Sequence, residues 1–493
     1  MSGPESEVAL SDEAAYAADP RRWKALAVCL VAGFMTLLDV SIVNVALPSI
    51  RTGLGADVSD LQWIVSGYAL TFGLLLVPSG RLGDARGRRV MFMVGVAVFT
   101  SSSLVAGLAQ TPTWLVVARL LQGMGGGILN PQISGLIQEL FRGKERGRAF
   151  GMLGTVIGIS TAVGPVLGGA IIKLLGAAEG WRWIFFVNIP IGVFAIVLSS
   201  RLLPPPRRTT GPEVRDLDPV GVLLLGAGVL AILLPLVEQQ QWSGSSKWWL
   251  VALGGALLLA FALWERRYAD RGRAPVVDLS LFRLESYSTG SALALAYFSG
   301  FTGIFFILTL FYQGGVHYSP LMAGVAITPF ALGSACGAAV GGRIVTRVGR
   351  LLVVIGLVLV VIGLVLTDVV LGFEGHYTSI GWWTAAPLLL AGFGSGLVIS
   401  PNQTLTLTDV PVARAGTAGG VLQTGQRMGT AAGIALIGAV YFSTLASSHG
   451  DFAHSATLGL RTAVGLTAAA LVVGLVDLYW TRRKTERERT RGG

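Results

Sequence analysis

Gly80-Arg81-Leu82-Gly83-Asp84-Ala85-Arg86-Gly87-Arg88-Arg89 separates two long apolar runs, and Gly342-Arg343-Ile344-Val345-Thr346-Arg347-Val348-Gly349-Arg350 does the same in the second half of the chain. Glycine and arginine keep their spacing between the two stretches, while Asp84 gives way to Thr346. A second pair behaves alike. Gly147-Arg148-Ala149-Phe150-Gly151 answers to Gly416-Thr417-Ala418-Gly419-Gly420, and Thr161-Ala162-Val163-Gly164 answers to Thr430-Ala431-Ala432-Gly433. Counted in apolar runs, both pairs lie eight apart, and a duplicated helical bundle explains both offsets at once.

The runs themselves are of membrane length. About 20 apolar residues cross a hydrocarbon core of roughly 30 Å, and fourteen candidates occur: 24–46, 60–80, 89–108, 112–136, 149–175, 182–202, 219–237, 248–265, 288–311, 320–341, 351–371, 383–403, 419–441 and 459–480. The fold class expected is therefore an all-α polytopic membrane protein of two six-helix halves plus two inserted helices. The expected division is a tail at 1–23, a first half at 24–202, linkers carrying the inserted pair at 203–287, a second half at 288–480 and a basic tail at 481–493.

Composition agrees with lipid as the main solvent: 53% apolar residues, 13% charged and 67 glycines, with mean hydropathy +0.67. Glycine weakens helices in water but lets helix backbones approach closely in membranes. The net charge of +10 is a topology signal and implies no nucleic acid. With the first residues placed inside, 30 of the 37 Lys and Arg fall in cytoplasmic segments and five near outer ends, so both termini are expected in the cytoplasm. Residues 1–20 show no signal-peptide pattern, and the first span is expected to serve as its own insertion signal. Cys29 and Cys336 lie in apolar runs without metal or redox spacing and read as buried packing residues. No metal, cofactor or catalytic group is expected.

On these residues the chain resembles the major facilitator superfamily, and within it the fourteen-helix drug:proton antiporter family. The Gly80–Arg89 run resembles the superfamily's loop between helices 2 and 3. The resemblance implies a conformational latch of Gly80, Asp84, Arg86, Gly87 and Arg88, with Asp84 pairing at helix ends and the arginines holding to the inner surface. Leu38-Asp39-Val40-Ser41-Ile42-Val43-Asn44-Val45-Ala46-Leu47-Pro48 is similar to the first-helix signature, with Ser41 where threonine is usual. An ionised Asp at membrane depth costs roughly 2.5–3.5 kcal/mol, so it needs a cavity or a partner, and low dielectric favours the protonated form of a carboxylic acid. Asp39 is accordingly the candidate proton carrier. Arg119-Leu120-Leu121-Gln122-Gly123-Met124-Gly125 resembles the fourth-helix motif; arginine cannot itself shuttle protons, so Arg119 is expected to tune Asp39. Gly164-Pro165 and Gly168-Gly169 resemble the signature of antiporters and form a candidate hinge.

Trp181-Arg182-Trp183-Ile184-Phe185-Phe186-Val187-Asn188-Ile189-Pro190 and Gln62-Trp63 are also family-like, with Trp181 and Trp183 suiting an interfacial belt. Relatives carry further acidic residues in the second half, whereas spans 10 and 13 here have none; Asp368 and Asp409 lie near span ends. Candidate substrate contacts, chosen for aromatic faces and polar handles, are Tyr68, Asn130, Tyr297, Phe301, Phe305, Asn402, Gln423 and Arg427. The function implied is proton-coupled export of drug-like or metabolite-like molecules by alternating access, the partners being a small molecule, protons and the bilayer; an accessory envelope protein is left open. An uptake symporter or facilitator, and a non-transporting sensor or scaffold, are the alternatives. An ATP-driven pump would need a phosphate-binding G-x-x-x-x-G-K-[ST] loop, which the sequence lacks.

Overall fold

In both halves the repeated glycine-arginine stretch forms the last turns of one helix and the start of the next, with a single glycine, Gly87 or Gly349, between them. Gly87 and Gly349 take the left-handed φ of 104° and 62°, a region that a side chain disfavours. The computed structural model describes residues 19–176, 178–205, 218–237, 242, 246–374 and 379–492. Residues 1–18 of the expected tail and 206–217 of the expected linker lie outside the described residues.

In chain order the long helices are α1 (Arg22–Leu54), α2 (Val58–Arg86), α3 (Arg88–Gly107), α4 (Pro112–Leu140), α5 (Gly143–Leu175) and α6 (Gly180–Leu202, interrupted at Val187). The inserted pair is α7 (Pro219–Val237) and α8 (Trp248–Asp270). The second half holds α9 (Glu285–Leu310), α10 (Pro320–Val348), α11 (Arg350–Glu374), α12 (Ala385–Thr406), α13 (Ala415–Ser447) and α14 (Phe452–Gly492). Among the described residues thirteen of these are long and apolar enough to cross a membrane. The fourteenth, α4, is as long, but it is rich in glycine and buries Arg119, Gln122 and Gln132 against its neighbours. Several helices outrun the expected spans, α5 starting at Gly143 and α10 reaching Val348. An apolar window ends where charge begins, whereas a helical backbone does not.

Caps mark the starts. Asp57 and Asp60 form a reciprocal box at α2, Asp60 N donating to Asp57 Oδ1 at 2.7 Å and Asp57 N to Asp60 Oδ2 at 3.1 Å. Thr111 accepts from Trp114 N at α4, and Ser319 from Met322 N at α10.

Prolines inside helices leave a carbonyl without its donor four residues on, and lipid offers no replacement. Two such carbonyls are met by serines from other helices. Pro165 strips Thr161 O, and Ser41 Oγ of α1 donates to it at 3.2 Å. Pro131 strips Gly127 O, and Ser79 Oγ of α2 donates to it at 2.9 Å.

The two halves meet along α5 against α10 and α2 against α13. Both seams rely on small residues. A Cβ on Gly342 would lie 2.5 Å from Gly151 Cα, and one on Gly80 would lie 2.4 Å from Gly416 O. Since lipid gives no hydrophobic drive between helices, close packing of this kind carries the association. The inserted α7–α8 hairpin rests on the α2–α13 seam, where Leu225, Val229 and Leu233 pack with Leu70, Val77 and Ala431. Its base is tied by Asp218, which accepts from Gly221 N at 3.0 Å and from Trp264 Nε1 at 2.9 Å.

Two expectations are corrected. Trp181 is fully buried, beneath Arg182 at 4.4 Å, and only Trp183, 51% exposed, suits an interfacial belt. The first segment of α6 packs on α1, with Trp181, Ile184 and Phe185 among Ile42, Val43, Ala46 and Ile50. Cys29 is buried as expected, but Cys336 is exposed on α10, on the side of that helix turned away from its partners.

Candidate functional site

Asp39 lies in mid-α1 with no exposed surface, and three N–H groups converge on its carboxylate. Arg119 Nη1 donates to Oδ2 at 2.5 Å, Gln122 Nε2 to Oδ1 at 2.8 Å and Asn188 Nδ2 to Oδ1 at 2.9 Å. Gln122 sits one turn along α4 from Arg119, so both reach the same side. Behind them, Gln122 Nε2 also donates to Ser103 Oγ at 2.7 Å and Arg119 Nη1 to Gln122 Oε1 at 2.8 Å. Arg119 Nε reaches Ile64 O of α2 at 2.9 Å, and its guanidinium stacks on Tyr68 at 4.2 Å. Two nitrogens of the guanidinium therefore divide the work, Nη1 on Asp39 and Gln122 and Nε on Ile64 O, a reach that a lysine's single nitrogen cannot reproduce. A buried pair of this kind is tolerated when further hydrogen bonds support it, as those from Gln122 and Asn188 to Asp39 and from Arg119 to Ile64 O do here. The structure thus brings together Asp39 and Arg119, and it adds Gln122, Asn188 and Ser103. The sequence carried a signal for two of these: Gln122 is three residues beyond Arg119, and Asn188 belongs to the family-like run before Pro190.

The second cluster closes the arginine-rich end of the bundle. Asp84, at the end of α2, accepts from Gly416 N at 3.0 Å, Thr417 N at 2.7 Å and Thr417 Oγ1 at 2.8 Å. These donors are the open N–H groups and side chain of the first turn of α13, where a negative charge also meets the helix dipole. Arg88 pairs with Asp84 at 2.8 Å and with Glu139 of α4 at 2.9 Å, and donates to Val412 O. The expectation that Arg88 holds to the membrane surface is corrected: it is buried, because the turn at Gly87 aims the first residue of α3 at α4. Arg86 is exposed, and Arg89 donates to Ser200 O at 2.5 Å. In the second half Thr346 carries no charge, and Arg350 instead pairs with buried Asp477 of α14 at 2.9 Å. Asp477 is a buried carboxylate in the second half that the sequence reading did not single out.

The candidate hinge faces two ways. A Cβ on Gly164 would lie 2.4 Å from Ser41 Oγ and one on Gly168 2.7 Å from Ile42 Cγ1, so these two face α1 just beyond Asp39. Pro165 meets Gly324, and Gly169 meets Leu321, both on α10.

A cavity of about 860 Å³ opens between the other ends of α2 and α13. Asn44, Gln62, Ser66, Arg427 and Thr430 supply its polar lining, and Leu233 and Leu236 of the inserted α7 and Phe306 and Phe442 its apolar walls. Of the expected substrate contacts only Arg427 lines it. Tyr68 is turned to Arg119. Asn130 Nδ2 donates to Gly126 O at 3.0 Å, Asn402 bridges Arg350 and Gly290 O, and Gln423 Nε2 donates to Ser134 Oγ at 3.4 Å. Tyr297, Phe301 and Phe305 form an aromatic cluster with Phe330 in the second half. Asp368 pairs with Arg461 at 2.9 Å, and Asp409 is exposed beyond the end of α12.

The Major Facilitator Superfamily profile matches residues 29–434. The chain is 36% identical over 488 residues to the puromycin resistance protein pur8 of Streptomyces alboniger, covering 96% of this chain and 95% of that protein. It is 37% identical over 431 residues to the probable actinorhodin transporter of Streptomyces coelicolor, covering 87% of this chain and 74% of that protein. The tetracenomycin C resistance and export protein of Streptomyces glaucescens is 32% identical over 459 residues, with 92% and 82% covered. Among solved structures, the human organic anion transporter MFSD10 superposes with a TM-score of 0.65 at 16% identity, over 92% of this chain and 100% of that one. The proton:xylose symporter XylE gives 0.62 at 15% identity, over 91% and 94%. At these identities the two structures speak to the fold.

Proposed function

The chain belongs to the major facilitator superfamily, and on that footing we propose that it exports small molecules of secondary metabolism in exchange for protons carried by Asp39. It is a multi-pass membrane transporter, and the resistance and export proteins it is similar to support export as the direction. The observation that carries the proton assignment is the buried Asp39–Arg119 pair at mid-membrane depth.

A carboxylate in that setting has two self-consistent states. Ionised, it accepts from Arg119, Gln122 and Asn188 together. Protonated, it loses the ion pair and must donate a hydrogen bond of its own, so at least one of the three donors has to find another acceptor. Arg119 holds Ile64 O between the cavity-lining Gln62 and Val65. A change at Asp39 is therefore felt by the wall of the cavity, which we take as the substrate site. The latch residues Asp84 and Arg88 hold the arginine-rich end shut in this state, and the positions of Lys and Arg support placing that end, and both termini, in the cytoplasm. The same assignment makes the described conformation outward-facing. One proton moving down one pH unit supplies about 1.4 kcal/mol, enough to sustain a tenfold gradient of an uncharged substrate at one-for-one exchange. The division into halves at 24–202 and 288–480, with the inserted pair between, is retained as part of this reading.

Substrate flux in proteoliposomes across imposed pH gradients tests it, with a panel of cationic, neutral and anionic compounds. Uphill movement opposite to the proton gradient is expected. Movement with the gradient makes the protein a symporter, and no movement of any compound at any gradient favours a sensor or scaffold.

A further inference from the structure

The cavity between α2 and α13 has one charged lining residue, Arg427, and no carboxylate. Among the described residues Arg427 forms no ion pair and no hydrogen bond; its guanidinium lies 4.4 Å from the centroid of the Phe72 ring. The three described arginines that are less than a tenth exposed each have a carboxylate: Arg119 has Asp39, Arg88 has Asp84 and Glu139, and Arg350 has Asp477. A guanidinium carries five donors in a fixed fork suited to two oxygen acceptors. At membrane depth a cation without a counter-charge is costly and marks a ligand path or a pairing supplied from outside the chain.

The rest of the lining defines the shape. Phe306 and Phe442 stand edge to face at 6.3 Å, and Leu233 and Leu236 close the side next to the inserted hairpin. Such walls favour a flat apolar body, and the rest of the polar lining, Asn44, Gln62, Ser66 and Thr430, is neutral. A volume of about 860 Å³ lies within the range of sites for drug-sized molecules. We propose that this cavity selects planar organic anions, whose acidic oxygen, a carboxylate or an ionised phenol or enol, is taken by the Arg427 fork. The inference rests on the reading of the cavity as the substrate site and narrows it to one charge class.

Arg427 is also joined to the proton site through two neighbouring, mutually tilted rings. Phe72 lies 5.9 Å from Tyr68, and Tyr68 lies beneath Arg119 at 4.2 Å. An anion on Arg427 and a charge on Asp39 therefore sit at the two ends of one cation–ring–ring–cation column, which places substrate and proton within reach of each other's field.

The test is equilibrium binding of two xanthene dyes of like size, anionic fluorescein and cationic rhodamine 123. Anisotropy is read at fixed pH in phosphatidylcholine nanodiscs, with empty nanodiscs as the blank and no anionic lipid to compete. Fluorescein is expected to bind at least tenfold more tightly than rhodamine 123. Arg427→Gln is expected to cut fluorescein affinity about tenfold and to leave rhodamine unchanged or improved, and Arg427→Lys to fall between wild type and Arg427→Gln. Equal binding of the two dyes, equal weakening of both by Arg427→Gln, or binding of neither overturns the charge class. Adding phosphatidylglycerol separates a lipid headgroup from a free anion: competition that abolishes fluorescein binding at a few mole per cent assigns the fork to lipid and overturns the proposal. Gradient-driven flux measured on the same preparations keeps the two readings apart. Lost charge selectivity with intact uphill flux removes only the anion class, whereas intact selectivity with no flux removes the transport reading.

Discussion

Ser41 Oγ donates to the carbonyl of Thr161, 3.2 Å away, and that carbonyl is the one that Pro165 leaves without its helical partner. Two residues before Ser41 is Asp39, so the first-helix signature and the proline of the candidate hinge meet at one contact. Ser41→Ala is expected to leave Thr161 O unsatisfied in a water-poor seam, at a cost of roughly 1 kcal/mol. Ser41→Thr should keep both stability and transport. Thermal unfolding in detergent together with proteoliposome flux reads this; an alanine variant as stable and as active as the threonine variant would show that the contact does nothing.

Asp39→Asn keeps the size of the side chain and an acceptor for Gln122 and Asn188, but removes the charge opposite Arg119. Export driven by a pH gradient should be lost while exchange of substrate for substrate survives, since the variant has no proton to release. The check is paired flux measurements, with and without a gradient. Uphill transport with wild-type pH dependence would move the coupling site elsewhere.

Arg119→Lys retains charge and loses the fork. One nitrogen cannot serve Asp39, Gln122 and Ile64 O together, so the substitution should behave almost as Arg119→Gln does. Removing one side of a buried ion pair costs roughly 3–5 kcal/mol, so Arg119→Gln should unfold several degrees earlier, and both variants should transport poorly. Wild-type flux in the lysine variant would argue that charge alone suffices there.

Asp84→Asn replaces an acceptor-only carboxylate with a group that presents N–H to the donors of Gly416 and Thr417. Insertion should be normal, since the arginines remain, and turnover should fall at least tenfold. Spin labels at the exposed positions Arg86 and Asp409, with Cys336 replaced by serine, give the corresponding distance distribution. A longer distance should become populated at the arginine-rich end, and an unaltered distribution with unaltered flux removes Asp84 from the latch.

Gly80→Ala tests the same closure without touching charge. Its Cβ would fall 2.4 Å from Gly416 O, which is backbone and cannot swing aside. The same spin-label pair should report opening, and transport should be impaired although Asp84 and Arg88 are intact. Closure equal to wild type would mean that the α2–α13 seam tolerates a wider spacing than the structure shows.

Much of this protein is legible without coordinates, because the signals are local. Apolar length and the Lys and Arg between runs pick out fourteen helices, α4 included, whose glycines and Arg119 lower its hydropathy. The glycine before Arg88 and before Arg350 marks the same turn in both halves, since only a residue without Cβ accepts that φ freely. Asp39 and Arg119 stand out because charge is rare at such depths, and Asp84 because the glycine and arginine spacing around it is family-like.

What the tertiary structure alone decided is which way each helix is turned about its axis. Asn188 lies 149 positions from Asp39 and yet shares its carboxylate, and nothing local in the run 181–190 says which side of α6 will face α1. Tyr68, read as a substrate contact, is turned instead to Arg119, while Arg427, with no family motif around it, faces the cavity without a carboxylate. Trp181 went inward and Trp183 outward for the same reason. A membrane helix of small and apolar residues has little amphipathic pattern to announce its buried face. The facing is settled by where backbones can touch, at Gly80 on Gly416 and Gly342 on Gly151, and such contacts join residues far apart in the chain.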